Sequence, residues 1–139
     1  MNKNRFFMTL LLLAAAITLP CCFKKPAPVY YRYVNYISNS YVTYVSKKYQ
    51  LDCYGKGSDL FEQVNKISLN FKNKNKKPNV EQSRILIVNC IEELLQRVNK
   101  DKQIRPYLNH YPFTSKGADI SIVFYDKNDK KLEQKYITL

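Results

Sequence analysis

The chain carries one histidine, His110, inside the stretch Arg105-Pro-Tyr-Leu-Asn-His-Tyr-Pro-Phe113. Imidazole changes charge near neutrality, so His110 is the one candidate general base of the chain. Such a base works only with a nucleophile or a raised-pKa carboxylate beside it. The sequence places neither next to His110. Glu92 and Glu93 are not a catalytic pair, because neighbours on a helix point apart; both are expected to face water. The four cysteines, Cys21, Cys22, Cys53 and Cys90, form no C-x-x-C pair. Together with a single histidine, that argues against a zinc site. Neither a metal nor another cofactor is expected, and no catalytic set is seen.

The same nine-residue segment supports two other readings. Its two prolines forbid a regular helix and stiffen the backbone. In the first reading it is a brace, with Tyr107, Leu108 and Phe113 plugging the end of the core and Arg105 bonding helix carbonyls. In the second it is a binding loop, with Arg105, Tyr107, His110, Tyr111 and Phe113 presented from a rigid frame. Cys53 and Cys90 also have two readings. As a disulfide they would close a loop of about 37 residues and contribute about 3 kcal/mol. Otherwise Cys90 is a small core residue on a helix.

The compartment in which these residues work is set by the start of the chain. Phe6 to Leu19 is fourteen residues without a charge, preceded by Lys3 and Arg5. A basic stretch followed by an apolar one has the form of a bacterial export signal. Pro20-Cys21-Cys22 follows at once. One reading is a lipoprotein signal. Leu19 stands three residues before Cys22, which takes the lipid; Cys21 is the alternative, and Pro20 departs from the usual box. A second reading is ordinary cleavage after Ala14-Ala15-Ala16, giving a soluble periplasmic domain. A third is an uncleaved anchor. Phe6 to Phe23 spans ~27 Å as a helix, against a hydrocarbon core of ~30 Å. In every exported case Lys3 and Arg5 leave the amino end in the cytoplasm. The division expected is 1–22 as signal peptide or membrane anchor, 23–28 as linker and 29–139 as one domain.

The formal net charge is +12, with 23 Lys+Arg against 11 Asp+Glu. Such a balance can serve nucleic acid, anionic lipid or another polyanion. Lysine outnumbers arginine 18 to 5, and asparagine, isoleucine and tyrosine are common. That is the usage of an A/T-rich genome on any surface. Specific nucleic-acid readers lean on arginine, whose planar fork matches guanine and phosphate, so nucleic acid is not the expected partner.

Elements must hold the aromatic segment in place. Lys24 to Pro28 is an extended spacer whose lysines suit an anionic lipid surface. Val29 to Leu51 contains seven of the twelve tyrosines. Tyrosine favours strands, but Tyr30, Tyr33, Val34, Ile37, Tyr41 and Tyr44 recur at helical spacing, so a helix is expected. Its tyrosine face is either core, with hydroxyls satisfied at the rim, or a surface for a membrane interface or partner. Lys48 lies in the stripe and can snorkel. Asp52 to Asp59, with Gly55 and Gly57, reads as a loop. Val64 to Phe71 alternates as a half-buried strand, and 72–78 reads as a lysine-rich loop, either solvated or a polyanion contact.

Asn79 and Gln82 have the spacing of a capping box and open a helix to Asn99. Its stripe is Val80, Ile87, Val88, Ile91, Leu94, Leu95 and Val98. Ile85, Leu86 and Cys90 lie off that stripe, which predicts cover on more than one side. Arg84 falls within it and must snorkel or find a carboxylate. Ala118 to Leu139 reads as an antiparallel hairpin, with Ile120, Ile122 and Phe124 on one side and a return over Leu132 to Thr138.

The helix containing Ile85-Leu-Ile-Val88, the Arg105–Phe113 segment and the strand Ile120–Tyr125 resemble a family of small exported bacterial, lipoprotein-like proteins. That family has an R-P-Y-L-x-x-Y-P-F core. The resemblance covers roughly 64–125 and implies no activity. It favours Arg105, Pro106, Tyr107, Leu108, Tyr111, Pro112 and Phe113 for testing.

The fold expected is α+β, in the order α-β-α-β-β. It has a small, mainly antiparallel sheet of about three strands, with two helices on one face. The function expected is a membrane-tethered binding or assembly module of the cell envelope, facing periplasm or exterior. Its partners would be the membrane, through the N-terminal anchor, and a protein of the envelope. The alternatives are an envelope enzyme using His110 and a soluble periplasmic polyanion-binding domain.

Overall fold

Helix α1 (Val29–Tyr49) obeys its 3.6-residue spacing against the strand preference of its tyrosines. Packing decides the contest, because Val34, Ile37, Tyr41 and Val45 are buried along one face. This is a computed structural model, and it describes residues 27–74 and 78–125. The segment expected to be an export signal, Cys21, Cys22, most of the spacer and the segment 132–138 expected to return as a strand lie outside the described residues. Gln50 ends α1 in the left-handed conformation, and its N–H donates to Ser46 O at 3.1 Å.

Strand β1 (Asp52–Asp59) replaces the expected loop. It pairs antiparallel with β2 (Lys66–Asn73), with a register shift between Cys53 and Gly55. Neither glycine has a positive φ. Gly55 instead makes room at this bulge: a Cβ there would stand 3.0 Å from Asn70 Nδ2. Most of β1 is exposed, so it shows none of the alternation by which strands are read. β2 does alternate, with Ile67, Leu69, Phe71 and Asn73 buried, and it runs two residues further than expected.

Helix α2 (Val80–Lys100) starts on the predicted capping box. Asn79 Oδ1 accepts from Gln82 N at 2.8 Å, and Gln82 Oε1 accepts from Asn79 N at 3.0 Å. Its buried face is Ser83, Ile87, Cys90, Ile91, Leu94 and Val98. That corrects the expected stripe: Val80 and Val88 are exposed, while Cys90, expected off the stripe, lies within the buried face; Ile85, also expected off it, is exposed, so cover comes from one side only. Arg84, also expected within the stripe, is exposed and needs no buried partner.

Strand β3 (Ala118–Phe124) runs parallel to β2, because α2 carries the chain back to the starting end of the sheet. The sheet is therefore mixed, in the order β1-β2-β3. The described elements follow α-β-β-α-β within the expected α+β architecture. Both helices share one sheet face, and the side chains of α1, α2 and the inner face of the sheet join in one cluster. Tyr41 meets Phe71 edge-on at 6.5 Å and donates from its hydroxyl to Cys90 O at 2.6 Å. Ile122 is only partly covered, and Phe124 is half-exposed.

Two ends result. At one, the chain comes in at α1, Tyr30 Oη donates to Leu60 O at 3.2 Å, and Ile67 pairs with Ala118. At the other, Asn73 Nδ2 donates to Gln50 O at 3.4 Å. Lys72 and Lys74, the described part of the lysine run, belong to this far end.

Candidate functional site

The Arg105–Phe113 segment lies at the end where the chain comes in, and it is built into the fold from several sides. Asp101 Oδ1 accepts from the N–H groups of Gln103 and Ile104 at 2.7 and 3.2 Å, turning the chain out of α2. A single 3-10 turn follows at Arg105–Tyr107, with Pro106 at a position where no donor is needed. Tyr107 O accepts from Val64 N at 2.8 Å, and Val64 O accepts from Asn109 N at 3.2 Å. Ile104, Leu108 and Phe113 are buried. Of the three side chains that the brace reading put in the core, Leu108 and Phe113 are there and Tyr107 is only partly buried, and Arg105 Nη2 donates to Asn99 O at 3.2 Å as that reading requires.

The five candidate binding residues divide. Phe113, expected on a binding loop, is core, 4% exposed, and presents nothing to a ligand. Arg105 and Tyr111 are brought together on the surface, the guanidinium 4.4 Å from the ring centroid. Tyr107 turns the other way and stacks on Tyr33 at 5.9 Å. His110 is exposed in a bend, and among the described residues no carboxylate, thiol or hydroxyl hydrogen-bonds it.

Residues that sequence reasoning placed elsewhere complete an aromatic surface here. Tyr30 stands 5.4 Å from Tyr31 and 5.9 Å from Tyr107, centroid to centroid. Leu60, which accepts the Tyr30 hydroxyl, leads into Phe61, and Phe61 is 80% exposed. The residue after it, Glu62, has φ 67, a left-handed conformation that is costly for a side chain with a Cβ. The first turn of α1, the turn at Leu60–Val64 and the Arg105–Tyr111 segment thus present Tyr30, Tyr31, Phe61, Tyr107 and Tyr111 at one end. The available signal was tyrosines at both Tyr30 and Tyr31: adjacent helical positions cannot both face the core.

A second cluster lies between the helices. Glu93, expected to face water, is instead the hub that joins them. Its Oε1 accepts from Tyr49 Oη at 2.9 Å and Tyr44 Oη at 3.2 Å, and it ion-pairs with Lys48. The hydrogen bonds to Glu93 hold the Lys48 ammonium well above its ordinary pKa. Burial raises the Tyr49 phenol. Arg97 lies 4.2 Å over the Tyr44 ring. Beside them is an open cavity of about 260 Å³ lined by Tyr44, Glu93, Gln96, Arg97 and Lys100. This arrangement pairs charges. Its nearest thiol, Cys90, is pushed up to about 11 by burial and stays protonated at neutral pH, so it supplies no thiolate.

Cys53 and Cys90 are both free thiols, so the possible disulfide is not made. Cys90 faces the helix–sheet core, while Cys53 is half-buried with its Sγ 3.4 Å from Gly55 O. Among the described residues there is no cluster of three or more His, Cys, Asp or Glu that could hold a metal. No described helix is long and apolar enough to cross a membrane. No family model matches the chain, and neither a curated protein nor a solved structure matches it.

Proposed function

We propose that this chain is a membrane-tethered module of the cell envelope that works by binding. It would be carried as a lipoprotein with the lipid on Cys22, or on Cys21. The observation that carries the reading is the aromatic surface at the end where the tether joins. Three segments distant in sequence converge there, and they leave Phe61 and Tyr31 exposed, and Tyr111 exposed against Arg105. Rings with one wet edge and one apolar face suit a docking surface. A hydrolytic role would need a partner for His110, which stands in the open.

Mass spectrometry of the mature amino terminus, isolated from its own membranes, tests the reading. A diacylglyceryl group on Cys22 or Cys21, with the protein in the membrane fraction, is the expected result. An intact Met1 on a protein that fractionates with cytoplasmic markers would overturn it.

A further inference from the structure

We infer that the aromatic end of the domain lies on the lipid surface to which the chain is tethered, with Phe61 and Tyr31 entering the boundary between headgroups and acyl chains. The inference rests on the tethered reading and adds what the surface touches. Its first ground is reach. Between Cys22 and Val29 stand six residues, 23–28, which extended span at most about 20 Å. A domain of this size has a radius of gyration of about 13 Å, so the tether keeps the whole domain near the bilayer without choosing its orientation.

The second ground is what this end exposes. Phe61 is 80% exposed and Tyr31 39% exposed, and the turn at Leu60–Val64 that carries Phe61 is bonded to Tyr30 and Tyr107. Tyrosine is enriched where water meets hydrocarbon, because its ring is apolar and its hydroxyl is not. The third ground is charge. Arg32, the residue after Tyr31, Lys102, and Arg105, against Tyr111, are exposed at this end, and Lys24 and Lys25 lie in the connecting stretch. Asp59, Glu62 and Asp101, the last also accepting from the N–H groups of Gln103 and Ile104, oppose them, and Lys66, exposed opposite Asp59, adds to the positive side. The balance favours an anionic headgroup layer. Docked in this way, the domain turns the end of α1 and Lys72 toward the compartment.

The sequence contains no tryptophan, so Phe61→Trp in the full chain creates a sole reporter. Position 61 is exposed, and the exchange leaves the fold in place. The variant is incorporated into vesicles of phosphatidylethanolamine and phosphatidylglycerol, the latter with brominated acyl chains. The expected result is a blue-shifted emission quenched at least twofold by the bromines, while Tyr54→Trp on β1 keeps a water-like, unquenched emission. Flotation in the same samples reads the tether separately. A chain that floats with an unquenched reporter at position 61 overturns the docking and leaves the tether standing. Blue-shifted emission without quenching means that a protein surface or a second copy covers Phe61, and it overturns the lipid assignment. Equal quenching in vesicles of phosphatidylcholine carrying the same share of brominated acyl chains overturns the part played by anionic headgroups. A chain that fails to float removes the tethered reading and this inference with it.

Discussion

Asn99 makes both of its side-chain hydrogen bonds to the backbone of Phe113: Nδ2 donates to Phe113 O at 2.9 Å, and Oδ1 accepts from Phe113 N at 2.7 Å. The last turn of α2 thereby holds the far side of the Arg105–Phe113 segment, and with it the seating of Tyr107 and Tyr111. Asn99→Ala removes both bonds and leaves the Phe113 groups unpaired. The expected cost is about 2 kcal/mol, read as a lower urea midpoint with an unchanged slope. A change under about 0.5 kcal/mol would mean that water takes over both bonds.

Gly117 is needed for space. A Cβ at this position would stand 2.5 Å from Phe113 Cε2 and 2.9 Å from the Asn65 carbonyl oxygen. Gly117→Ala is expected to destabilise by about 1–3 kcal/mol. Phe113→Leu in the same chain frees the ring side of the clash but leaves the Asn65 oxygen in place. The double variant should therefore lose less than the sum of the two single changes.

Tyr41 links the two helices, and its pH behaviour follows from its burial. Burial holds its phenol well above the ordinary 10.0, and burial likewise pushes the Cys90 thiol from 9.0 up to about 11. The unfolded chain loses these protons at the ordinary values, so the folded form is favoured fully below about pH 9 and progressively less above it. Thermal melts should be flat in this respect up to pH 9 and then fall. Tyr41→Phe should cost about 1 kcal/mol at pH 7 by losing the bond to Cys90 O, with the deficit shrinking above pH 10. A deficit that grows with pH would contradict the assignment.

The two domain thiols should differ in reactivity. Cys53 is half-buried and Cys90 buried. Iodoacetamide is expected to modify Cys53 in the folded protein and Cys90 only when the core opens, so the Cys90 rate should rise in urea with global unfolding. Peptide mapping without reductant should find no peptide linking the two.

Gln50 closes α1 at φ 59, a conformation that glycine adopts at little cost. Gln50→Gly should stabilise the fold by about 0.5–1 kcal/mol, seen as a higher melting temperature. The bond from Asn73 Nδ2 is retained, because it goes to the Gln50 carbonyl.

How much could be read beforehand depended on how local each signal was. α1 and α2 were legible because helical hydrogen bonds close within a few residues, and the Asn79–Gln82 box within three. β2 was legible because one of its faces is core. β1 was missed, since its strand character comes from bonds to β2 rather than from its own residues, and its mostly exposed pattern is silent. The brace at Leu108 and Phe113 was readable from two prolines and large apolar side chains, but which ring turned inward was not. Tyr107, Tyr111 and Phe113 differ in fate through contacts with Tyr33, Arg105 and Asn99, each on another part of the chain or reached by a turn.

Helical periodicity and capping chemistry were determined by the order of residues alone, because each rests on interactions within a turn or two of the chain. The parallel pairing of β3, the junction of Tyr44, Lys48 and Tyr49 with Glu93, and the meeting of Tyr30 with Leu60 and Tyr107 at one end were decided only by tertiary structure. Their partners lie tens of residues apart. Burying one shared core leaves the chain few ways to pack, and that packing sets which distant side chains meet.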